Sequence, residues 1–94
     1  MKGTMKKARF DLGRVVVTRA AVEVLLPADM FGALGRHVHA DWGNVDGDDW
    51  EANEQALEEG ARLLSVYRSS GGTKFYVITE HDRSLTTILL PSDY

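Results

Sequence analysis

No cysteine occurs in the 94 residues. That removes disulfides, zinc–thiolate sites, iron–sulfur clusters and cysteine nucleophiles. Small secreted domains are often stapled by disulfides, so the lack of them fits a reducing, cytoplasmic setting. Long apolar runs are missing as well. The longest, Ala20 to Leu26, is interrupted by Glu23 and is far too short to span a bilayer. The first residues, Met1 to Lys7, carry lysines with no apolar stretch behind them, which is not the pattern of a secretory signal. Only two prolines occur, Pro27 and Pro91, and each falls where an element is expected to end. There is no phosphate-binding glycine loop, no G-x-G-x-x-G and no G-x-S-x-G elbow.

What remains is an ordinary globular composition, 44% hydrophobic and 27% charged. A chain of this size exposes about 15,000 Å² when unfolded and about 5,400 Å² when folded, burying roughly 64% of its surface. That suffices for one two-layer core, but not for a core plus a deep enclosed cavity. No cofactor is expected. Net charge is only −3, yet it is unevenly spread. Residues 1–19 hold Lys2, Lys6, Lys7, Arg9, Arg14 and Arg19 against Asp11 alone. Residues 41–59 hold eight carboxylates and neither Lys nor Arg. A basic head and an acidic middle are the most informative features of the composition.

Periodicity then places the elements. Arg14 to Val17 is β-branched and short, a strand. Thr18 can cap a short helix over Arg19 to Leu26, which Pro27 ends. Ala28 to His39 repeats apolar residues at helical spacing through Met30, Phe31, Leu34 and Val38, with Gly32 and Gly35 as weak points. Asp41 to Gly47 has loop composition. Asp46 or Asp48 caps a helix over Asp49 to Glu59, with Trp50, Asn53, Ala56 and Leu57 inward and Gly60 as its stop. After Gly60 the period changes to two. Arg62 to Arg68, Thr73 to Glu80 and Ser84 to Leu90 read as three strands on short turns. The expected fold is α+β: a short N-terminal strand, two to three helices, then a three-stranded antiparallel meander with helices on one face. The first strand should join an edge. Residues 1–9 read as a flexible basic leader and 10–94 as a single domain.

Few residues have the spacing of a chemical site. His37-Val38-His39-Ala40-Asp41 opens like the zinc motif of metallo-β-lactamase-like hydrolases, but Trp42 stands where a further histidine would follow. A helix end, with imidazoles near C-terminal carbonyls, explains the same residues. A small metal-dependent enzyme using His37, His39 and Asp41 is thus kept as an alternative. Asp46 to Glu51 has the oxygen density of a calcium loop, but glycine falls at the second place and not the sixth. His81, Asp82 and Ser84 have turn composition. The basic N-terminus could contact phosphates, which makes a DNA-associated accessory protein another alternative, although no nucleic-acid-binding signature follows it.

The acidic segment has two readings. It is either a solvated helix with acids favouring the N-terminal end of the dipole, or a carboxylate surface for a basic partner. On the second reading the binding residues are Asp41, Trp42, Asp46, Asp48, Asp49, Glu51, Glu54 and Glu58. Trp42 is open to either core or interface, and Trp50 is expected in the core.

One resemblance adds to this. Phe10 to Val16, Arg36-His37 with Asp41-Trp42-Gly43, Glu51 to Leu57 with Gly60, Arg62 to Arg68, Val77 to Glu80 and Asp82 to Pro91 together resemble short bacterial proteins known as the plasmid related protein family. The resemblance covers nearly everything after residue 9 and carries no catalytic motif. It implies a setting on mobile DNA, where acidic anti-CRISPR proteins act by imitating nucleic acid. The expectation is therefore a non-enzymatic counter-defence protein whose acidic face binds a basic nucleic-acid-handling host protein, such as a CRISPR effector subunit. No membrane and no direct nucleic-acid contact are expected.

Overall fold

A computed structural model describes residues 7–94. The chain runs β1 (Arg14–Val17), α1 (Arg19–Val24), α2 (Pro27–Val38), α3 (Gly47–Glu59), β2 (Leu63–Arg68), β3 (Lys74–Thr79) and β4 (Leu85–Leu89), and ends in a single 3-10 turn at Pro91–Asp93. The fold is α+β. The meander β2–β3–β4 is antiparallel, and β1 joins its far edge parallel to β4. The sheet is therefore mixed and four-stranded, in the order β1-β4-β3-β2, with the N-terminal strand at an edge of the meander.

Local chemistry accounts for the boundaries. Thr18 Oγ1 accepts from the Ala21 N–H at 3.2 Å and starts α1. Pro27 is the first residue of α2, where its missing N–H and fixed φ fit, so it both closes one helix and opens the next. Asp46 caps α3, and Gly60 ends it in the left-handed region at φ 72.

The faces of the sheet are unlike. Side chains alternate along a strand, so Tyr67, Phe75, Val77 and Ile88 share one face. Ala21 and Leu25 from α1 and Ala33 from α2 pack there in one buried cluster. A second cluster, Ala40, Trp42 and Leu63, gathers Phe10, Val45, Ala56 and Leu57. The free edge of β2 is closed by other parts of the chain. Asn53 of α3 pairs with both backbone groups of Leu64, donating to its carbonyl at 2.7 Å and accepting from its N–H at 3.0 Å. Val66 donates to the Trp42 carbonyl and accepts from Asn44 N–H. A sheet edge with its polar groups satisfied is no template for aggregation. Gly43 makes this docking possible: φ is +78, and a Cβ there would collide with the Val66 carbonyl.

The first six residues of the expected leader lie outside the described residues. Of the next three, Lys7 and Ala8 are exposed. Arg9 donates its backbone N–H to the Val38 carbonyl at 2.8 Å.

Trp42, open between core and interface in the sequence, goes to the core, and Trp50 does not. Trp42 is fully buried, whereas Trp50, expected in the core, is 37% exposed. The space beside Leu63 and Phe10 is filled from the loop by Trp42, and Ala56 and Leu57 of α3 close over it.

Candidate functional site

The acidic residues on α3 are set by the helix itself. Asp46 Oδ1 accepts from the Asp49 N–H at 2.8 Å, so this carboxylate is taken up as a cap. Asp48 and Asp49 stand in the first turn, beside the unsatisfied N–H groups. From there Asp48, Glu51, Gln55 and Glu58 recur at three- and four-residue steps and share one stripe about 15 Å long. With Glu54 they line one wall of an open cleft of about 470 Å³, and Arg9 lines the other. Asp48, Glu51 and Glu58 are exposed. None of the three is in an ion pair among the described residues. Glu54 is engaged on both oxygens: Oε1 lies 3.5 Å from Arg9, and Oε2 accepts from Trp42 Nε1 at 2.8 Å.

The expected binding residues therefore divide. Asp48, Glu51, Glu54 and Glu58 are brought to one cleft. Asp49 is exposed on the same helix but outside the lining. Asp41 does not join them. Arg36 grips it with two bonds, at 2.8 and 3.2 Å, and holds its carboxyl below the usual range. Trp42 cannot touch a partner at all. Its ring stacks on Phe10 at 6.1 Å and meets the edge of His37 at 5.7 Å. A large indole gains most from full burial once its N–H has an acceptor, which Glu54 supplies.

The alternative metal set is not assembled either. His37 is the last but one residue of α2 and is fully buried. Its Nδ1 is 2.6 Å from Ser65 Oγ and its Nε2 is 2.8 Å from Thr79 Oγ1. His39 Nδ1 meets the Gly35 carbonyl at 2.7 Å, and Asp41 faces Arg36. Among the described residues no group of three His, Cys, Asp or Glu is placed to hold a metal ion.

The His37 environment is a hydroxyl ladder with a definite proton order. Thr86 Oγ1 donates to the Leu12 carbonyl at 2.6 Å. Its proton being used, Thr86 must accept from Thr79 at 2.7 Å. Thr79 in turn accepts from His37, so His37 carries its proton on Nε2, and Nδ1 accepts from Ser65. Burial, aided by the Arg83 charge, pushes the imidazole down to about 3. A Ser–His pair at hydrogen-bond distance is a catalytic motif elsewhere. Here Ser65 and His37 are both fully buried, and the ladder is structural.

Sequence reasoning overlooked Arg9 and the buried role of His37. The signal for the second was present: His37 falls four residues after Ala33 and three after Leu34 on the inward stripe of α2.

No family model, no curated protein and no solved structure matches the chain. No helix among the described residues is long and apolar enough to cross a membrane.

Proposed function

We propose that this protein is a non-enzymatic binding protein of the cytoplasm that offers the α3 cleft to a basic nucleic-acid-handling partner. The family likeness directs the proposal further, to a counter-defence inhibitor from a mobile element that competes with nucleic acid for a CRISPR effector subunit. The observation that carries the reading is the stripe Asp48, Glu51 and Glu58, exposed and without an ion pair among the described residues, along a cleft of about 470 Å³. Exposed carboxylates at regular steps create a local negative field that speeds encounter with a basic groove and sets its orientation. Trp42 contributes indirectly, by holding Glu54 through its indole N–H.

The test is a CRISPR-interference assay in the presence of the wild-type protein and of the triple variant Asp48→Lys, Glu51→Lys, Glu58→Lys. The wild type should relieve interference and the triple variant should not, while circular dichroism reports both as folded. Equal activity of the two would remove the α3 cleft from the mechanism. Capture of a basic effector subunit on immobilised wild type should weaken as salt rises, because exposed charges are screened over about 8–10 Å.

A further inference from the structure

The outer face of the sheet, opposite the helices, carries a second and oppositely charged surface. Reading across the strands, one row at its end is Arg14, Leu85, Glu80 and Arg62. The next is Val16, Thr87, Ile78 and Leu64, and the third is Leu89, Tyr76 and Val66. The far row is Lys74 and Arg68. Mainly apolar residues form the middle of the face, with Ile78, Leu89 and Val66 buried and Val16, Leu64 and Tyr76 half-buried, and cations bracket it about 20 Å apart along the strands. Glu80 is the one carboxylate in these rows, and Arg62 lies 3.6 Å from it. The buried clusters of α1 and α2 lie on the opposite face. What lies on this one is the end of the chain, where the Tyr94 ring meets Tyr76 edge-on at 5.9 Å.

These side chains line up in a ladder. Arg62 stands 5.7 Å from the Tyr94 ring, Tyr94 meets Tyr76, and Lys74 stands 5.8 Å from the Tyr76 ring. Tyr94 is 71% exposed and Tyr76 is half-buried. One exposed ring and one half-buried ring alternating with cations suit a ligand that has planar faces and a regularly charged anionic backbone.

We propose that this sheet face binds single-stranded nucleic acid, its bases stacking at Tyr94 and Tyr76 and its phosphates held by Arg62, Lys74, Arg68 and Arg14. Stacking on aromatic side chains beside a basic track is how single strands are held without sequence readout. A duplex keeps its bases stacked inside and would offer the rings nothing. The inference does not depend on the α3 cleft, and it departs from the expectation of no direct nucleic-acid contact.

The experiment is fluorescence anisotropy of a labelled oligothymidylate of about 12 nucleotides, within the size range of single-strand sites, titrated with the full chain at low salt. Binding should weaken steadily as salt rises. Tyr94→Ala and Lys74→Glu, both at exposed positions, should each weaken it roughly fivefold or more, since one lost stack or phosphate contact is worth at least that. The double variant Glu51→Lys, Glu58→Lys should bind at least as well as wild type. The same sequence annealed into a duplex should bind more weakly. No anisotropy change up to about 100 µM protein, the weak end of non-specific nucleic-acid affinity, would overturn the proposal. So would undiminished binding by Tyr94→Ala, or a preference for duplex. Salt-sensitive self-association in sedimentation, lost in the Glu51→Lys, Glu58→Lys variant, would overturn it in favour of a second copy's α3 on the sheet face.

Discussion

The α3 stripe and the His37 ladder are both built from polar side chains, and they are governed by opposite rules. On α3, Asp48, Glu51 and Glu58 face water with no ion pair among the described residues. Around His37, each hydroxyl and ring nitrogen has its partner, with His37, Ser65, Thr79 and Thr86 all at 0% exposure. Among the described residues no buried side-chain polar atom lacks a hydrogen bond. The exposed set contributes little to folding and is free to serve recognition. The buried set is committed to the fold, because an unmade bond there costs the full desolvation of its group. Stability measurements should therefore separate the two regions sharply.

The largest effect is expected at His37. His37→Ala removes a ring that two hydroxyls depend on and leaves a void against Trp42 and Phe10. Urea unfolding should show a loss of about 3 kcal/mol or more. Acid should probe the same group without mutation. The folded imidazole is held down to about 3 from an unfolded value of 6.5. Its contribution is therefore complete above pH 6.5 and is lost as pH falls through the interval below it, because the unfolded state takes up the proton first. The slope is about 1.4 kcal/mol per pH unit. Between pH 6.5 and 5 most carboxylates remain ionised, so a stability that is flat there would contradict a buried neutral His37.

The tryptophans sharpen the contrast at the next size. Trp42→Phe keeps an aromatic ring but strands the Glu54 carboxylate oxygen and leaves a gap, a loss of about 2 kcal/mol. Trp50→Phe, at a position 37% exposed, should cost less than about 0.5 kcal/mol. Equal losses would mean that the two rings share the core.

These two residues also mark where local sequence signals stop. The Thr18 cap, an acidic cap on α3 at Asp46 or Asp48, the Gly60 stop and the three late strands were legible because each depends on a few neighbouring residues; the edge position of β1 followed from its length and its place before the helices, although it pairs with the distant β4. The burial of Trp42 depends on Gly43 pairing with Val66, more than twenty positions away, and no periodicity reports that contact. The Asp41 to Gly47 stretch has the composition of a solvated loop, yet Gly43 and Asn44 work as part of the sheet edge. On α3 the acidic stripe could be read directly from its spacing. Arg9, its facing cation, could not, because it comes from the segment before β1. His37 was weighed as a helix-end imidazole and, with His39 and Asp41, as a metal ligand, whereas its position on the α2 stripe places it in the core.

At the helix start, Asp46→Ala should cost about 1 kcal/mol through the lost cap. The measurement is again urea unfolding. A loss near zero would mean that Asp46 is available to a partner after all.

The smallest effect on stability is the most telling for function. Acids at the start of α3 favour the helix dipole, which a merely solvated helix would explain. Glu58 and Glu59 do not fit that explanation, for they stand in the last turn, where no basic residue accompanies them and negative charge opposes the dipole. Glu58 also lies four residues from Glu54, a like-charge spacing that is mildly unfavourable. Glu58→Lys should therefore raise stability by about 0.3–0.5 kcal/mol in low salt. If α3 exists to meet a basic groove, the same substitution should lower partner capture several-fold, mainly through slower association. Gain of stability with loss of binding would mean that local stability is sacrificed at the cleft for recognition. Gain of stability with unchanged capture and unchanged interference would leave α3 as a solvated helix and send the search for the partner surface to the opposite side of the sheet.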